Sequence, residues 1–70
     1  MNDVIVFRRL DPKLGHQELI LETVEQAKEQ FDESIRSGYI VSYNGNVIRK
    51  REEIGSATGE MTAFKPVSGG

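Results

Sequence analysis

The stretch from Thr23 to Gly38 limits what this chain can become more than any other. The Thr23 hydroxyl can cap the free N–H groups of a helix start, and Gln26, three residues on, completes a capping-box pattern. Apolar residues recur at Val24, Ala27, Phe31 and Ile35, a single stripe at helical spacing. The other side carries Glu25, Lys28, Glu29, Asp32, Glu33 and Arg36, a solvated face in which Asp32 precedes Arg36 in the favourable i,i+4 order. Gly38 stands where a helix closes on a left-handed residue. The pattern predicts one helix over 24–37. In a chain of 70 residues, only a sheet made from the remainder can cover its stripe.

The flanking sequence supplies such a sheet. Val4-Ile5-Val6-Phe7 is a β-branched and aromatic run, consecutively apolar, as in a strand covered on both faces or one lying centrally in the sheet. Which of its two faces turns inward is left open. Arg8 and Arg9 close it, although Leu10 can still add to it. Asp11 to Gly15 is turn chemistry, and Glu18 to Glu22 reads as a second strand with Leu19 and Leu21 inward. A helix beginning at His16 competes with that reading, but Thr23 is the better start.

Beyond the helix, Asn44-Gly45 separates two β-like runs, the strongest short-range hairpin signal. A two-residue loop sets Tyr43 opposite Asn46, Val41 opposite Ile48 and Tyr39 opposite Lys50, with Val41 and Ile48 inward. Ile40 then faces Arg49 and Ser42 faces Val47 on the outer side, where Ile40 and Val47 offer a partner somewhere to dock. The basic trio Arg49-Lys50-Arg51 reads as a charged, aggregation-resistant strand end. Residues 52–60 form a loop around Ile54, and a last short strand spans 61–64 until Pro66 stops it.

Composition removes several function classes. There is no cysteine and one histidine, His16, so thiol chemistry and a His/Cys metal site are not expected. No glycine-rich phosphate loop precedes a helix and no Ser/His/Asp set is evident, so the chain itself is not expected to be an enzyme. A net charge of −2 argues against a general nucleic-acid binder. No apolar run approaches the ~20 residues of a membrane span. Met1-Asn2-Asp3 lacks the basic-then-apolar order of a signal peptide, which leaves a soluble cytoplasmic protein as the expectation.

The element order is strand, strand, helix, strand, strand, strand, with the last strand best placed parallel beside the first. Past Phe64 the chain reads Lys65-Pro66-Val67-Ser68-Gly69-Gly70, ending in residues with almost nothing to bury. A Gly70 carboxylate is ionised near neutral pH and can act as an oxygen nucleophile. This α+β order resembles the β-grasp, or ubiquitin-like, fold. The stretch Phe64 to Gly70 resembles the tail of the small sulfur-carrier subunit of molybdopterin synthase. Thiamine-pathway sulfur carriers and ubiquitin share the Gly-Gly end.

The resemblance implies a β-grasp domain over 1–66 and a tail over 67–70. It implies that an ATP-using adenylating enzyme activates Gly70. The chain then acts as a thiocarboxylate sulfur carrier, delivering to a sulfur acceptor enzyme, or is conjugated to an amine on a target. Val67, Ser68 and Gly69 would thread the activating enzyme with Gly70, Pro66 would stiffen the exit from the sheet, and Phe64 would hold the strand to the body. No cofactor is bound, since ATP is consumed by the partner, and the free chain is a monomer contacting neither nucleic acid nor membrane. Lys65 departs from the pattern, which often has proline or an apolar residue there, and 51–60 is shorter than in ubiquitin. The alternative is a β-grasp interaction module, such as a phage or mobile-element protein, whose tail has no chemical role.

Overall fold

Seven buried or half-buried apolar side chains, Ile5, Val6, Phe7, Leu10, Met61, Ala63 and Phe64, show where the sheet is centred. The computed structural model describes residues 4–13 and 15–66. Its order is β1 (Ile5–Asp11), β2 (Gly15–Leu21), α1 (Val24–Arg36), β3 (Ile40–Tyr43), β4 (Asn46–Ile48), a 3-10 turn (Arg51–Glu53) and β5 (Gly59–Phe64). The five strands form one sheet in the order β2-β1-β5-β3-β4. β1 and β5 run parallel, and the other neighbours are antiparallel. The expected placement of the last strand beside the first is observed, Phe7 lying across from Met61.

The first strand's inward parity is now fixed: Ile5 and Phe7 are fully buried. Across the sheet the same face carries Met61 and Ala63 of β5, Val41 of β3 and Ile48 of β4. α1 covers this face with Ala27, Phe31 and Ser34. Thr23 caps it as expected: its Oγ1 accepts from the Gln26 N–H at 3.1 Å, and Gln26 Oε1 accepts from the Thr23 N–H at 3.2 Å. Gly38 has φ +87°, just past the end of the helix. The hairpin turn is as read, with Asn44 and Gly45 both at positive φ and Val41 across from Ile48, but the pairing ends there and does not reach the expected Ile40–Arg49 and Tyr39–Lys50 pairs. Ile54 anchors its loop at 2% exposure.

Six boundaries or burials differ from the sequence reading, each for a physical reason. β1 continues through Arg8 and Arg9 to Asp11, because β2 pairs with one of its edges and β5 with the other. β2 begins at Gly15 instead of Glu18, following β1 to the turn. Leu19 shares the face of Phe7, as expected, but stays 45% exposed because β2 is the outermost strand. On the helix Ser34, not Ile35, is buried: seven residues are nearly two full turns, so Ser34 returns beneath Ala27 while Ile35 has rotated onward.

The basic trio does not extend a strand. β4 stops at Ile48 because the Glu53 carboxylate accepts from the Arg49 and Lys50 N–H groups at 2.8 and 3.1 Å. Those are backbone groups a longer strand would need, and a local side chain has taken them. The final strand starts earlier than Met61, at Gly59, whose N–H reaches the Val4 carbonyl at 3.2 Å.

Candidate functional site

Alternation along each strand leaves a second sheet face that α1 does not cover. Register builds it in rows. Leu10 of β1 lies beside Phe64 of β5, and Phe64 beside Ile40 of β3, so three half-buried apolar side chains form one row. The next row runs Glu18, Arg8, Thr62, Ser42 and Val47. Arg8 pairs there with Glu18 at 3.1 Å and Glu60 at 3.5 Å. These pairs are well exposed and contribute little to stability. Their effect is to flank an apolar strip with neutralised charge.

The structure therefore brings Phe64 and Ile40 together directly. Val47 sits one row away, across from Ser42, and is 58% exposed. Ile40 and Val47 meet instead at the rim of a groove of about 320 Å³, where β4 ends and the helix C-terminus approaches. Ile35, Tyr39, Ile48 and Arg49 also line it. Leu10 was not expected as a site residue; its signal was the alternation that follows once β1 runs past Arg9. Ile35 was assigned to the core and in fact opens onto the groove.

The root of the tail is held by a small polar and aromatic cluster. The Lys65 ammonium lies 5.0 Å from the centre of the Tyr39 ring, and the Arg9 guanidinium lies 5.6 Å from that ring and from Phe7. Tyr39 donates its hydroxyl to Asp11 at 2.7 Å. That hydrogen bond, with burial and the negative charge of Asp11, raises the Tyr39 pKa, while Arg9 opposes the rise. Arg9 also donates to Gln30 of the helix at 3.3 Å. Lys65 thus takes part in tying β5's exit to Tyr39, just ahead of β3, and through Tyr39 to Asp11 of β1. Pro66 follows and is exposed. The remaining expected site residues, Val67, Ser68, Gly69 and Gly70, lie outside the described residues.

Neither a family model, a curated protein nor a solved structure matches this chain. Its chemistry is therefore read from its own geometry. Among the described residues no group of three His, Asp or Glu side chains is placed to hold a metal ion. No helix among them is long and apolar enough to cross a membrane. What the described part offers is presentation: an uncovered apolar strip, and beside it a strand end whose exit is clamped.

Proposed function

We propose that this chain is a cytoplasmic ubiquitin-like carrier or modifier of the β-grasp type. It acts through a Gly70 carboxylate, free at the chain end or freed by trimming. The observation that supports this most is the position of β5. It is parallel to β1, lies between β1 and β3, and hands the chain on through Lys65 and Pro66 at the end of a central strand. Sheet order, single helix and a Gly-Gly sequence after that strand together match what such a carrier requires.

In the proposed chemistry a Gly70 carboxylate oxygen attacks the α-phosphorus of ATP within an adenylating enzyme, and pyrophosphate leaves. A sulfur donor then displaces AMP to give a thiocarboxylate. Alternatively an enzyme thiol displaces AMP and an amine later takes the acyl group. This chain supplies the reacting group and its positioning, and the partner supplies the catalysis. Glycine at 69 and 70 suits a narrow channel, and correct positioning provides much of the rate. Phe64 pairs into the sheet, and the Lys65 ammonium over the Tyr39 ring anchors the strand's exit ahead of Pro66.

The test is to incubate the chain with ATP, a sulfide donor and each ubiquitin-activating-type enzyme of its source cell. The expected result is a mass gain of about 16 Da, oxygen exchanged for sulfur, or a lysine-linked heavier species, either one lost on deleting Gly69 and Gly70. No change with any such enzyme would overturn the reading. The uncovered Leu10–Phe64–Ile40 row favours a second reading, a plain interaction module. It requires that partner binding survive the Gly-Gly deletion and disappear with Ile40→Asp.

A further inference from the structure

The two edges of the sheet are protected very differently. β4 is three residues long and is followed at once by Arg49, Lys50 and Arg51, a short and charged edge. β2 is seven residues long, and its register against β1 is continuous from Leu21 to Gly15 with no bulge. Six of those seven residues are exposed, including Leu19 at 45% and Ile20 at 55%. It contains neither lysine nor proline. Among the described residues no strand pairs with its outer side. An unpaired edge of this length that exposes Leu19 and Ile20 is a template for another strand.

We propose that the β2 edge pairs antiparallel with the β2 edge of a second copy, with Leu19 on the two-fold axis. Two copies then share one ten-stranded sheet with both helices on the same face. That geometry requires facing residues to come from the same side of each sheet, so the axis passes through a residue and not between two. Charge selects which one. An axis through Glu18 sets two carboxylates against each other, and an axis through Ile20 sets Glu18 against Glu22 twice. Like charges directly opposite are destabilising. An axis through Gln17 pairs Leu19 with Gly15, which has no side chain to meet it, and sets Ile20 beyond the start of the partner's β2.

With Leu19 on the axis, Leu19 meets Leu19, Ile20 meets Glu18 beside its Arg8 partner, Leu21 meets Gln17, and His16 meets Glu22. Every exposed apolar residue of the strand gains a neighbour and no like charges meet. The interface is short and belongs with weak, transient contacts. Dimer therefore forms as concentration rises, a departure from the monomer expected of the sequence.

The absence of cysteine makes a single introduced thiol a clean reporter. Directly opposed Cβ atoms lie about 5 Å apart, whereas Gln17 would sit about 13 Å from its own copy, four residues along the strand, beyond disulfide reach. Under mild oxidation Leu19→Cys should crosslink at least tenfold faster than Gln17→Cys or Val47→Cys. Equal rates overturn the proposal. Sedimentation of the native chain should show mass rising from 7.9 kDa toward twice that value as concentration approaches about 1 mM. Leu19→Lys, at a position already half exposed, should abolish that rise. A native chain that stays monomeric, or a Leu19→Lys variant that dimerises unchanged, also overturns it.

Discussion

Gly59 is the residue whose identity the fold can least spare. It sits at φ +118°, and a Cβ there would collide with the Asn44 carboxamide. That carboxamide accepts from the Glu60 N–H at 2.9 Å and donates to the Thr58 carbonyl at 3.4 Å, tying the hairpin turn to the start of β5. Gly59→Ala must therefore strain the backbone and displace Asn44 together. It should cost about 2–4 kcal/mol in urea unfolding; a loss below about 0.5 kcal/mol refutes the account. Ser34 is the opposite case. Its hydroxyl is buried at 1% exposure without a hydrogen-bond partner among the described residues, so Ser34→Ala removes an uncompensated polar group and improves helix propensity. Its unfolding free energy should be unchanged or raised by up to about 1 kcal/mol. Hydropathy pointed to Ile35 at this place. The helix instead buries whichever residue lies under Ala27, polar or not.

At the scale of elements, those with self-contained local signals were legible and those decided by a neighbour were not. The α1 cap needs only Thr23 and Gln26, and the hairpin needs only Asn44 and Gly45, so both were readable. β4's end was not, because Glu53 withdraws two backbone N–H groups from outside the strand run. The same two hydrogen bonds hold the Glu53 carboxyl below its ordinary pKa. A lowered folded value means that this stabilisation is present above the unfolded pKa and is lost as pH falls through the folded one. The native chain and Glu53→Gln should therefore differ in urea midpoint at neutral pH, and converge as pH falls below about 4.3. Midpoints that stay equally separated at low pH contradict the assignment. Thr23→Ala should cost about 1 kcal/mol at all pH values in the same series.

For the whole molecule, the topology was legible in part. One amphipathic helix demanded a sheet, and β5 was placed in parallel on the free edge of β1, but the β3–β5 pairing that joins the hairpin to that sheet was not read. The candidate site was legible only in part. Phe64 and Ile40 do meet and Val47 lies across from Ser42 as read, but Leu10 joins the row through a strand extension that pairing on both edges produced. The same topology orders the stability of the parts. β1 and β5 are paired on both edges and hold fully buried Phe7, Met61 and Ala63, so exposing their amides requires global unfolding. β4 has three residues, one paired edge and a mostly exposed Val47, and the Arg51–Glu53 turn beside it buries none of its own residues. Native-state hydrogen exchange should therefore find β4 and that turn opening at least about a hundredfold more readily than β1 and β5. The β2 edge adds a control within the same experiment. Its outward amides should gain protection as concentration rises while those of β4 do not, because only β2 acquires a partner strand. Uniform protection across all five strands would mean the sheet opens as one unit, and the ordering derived from its edges would be wrong.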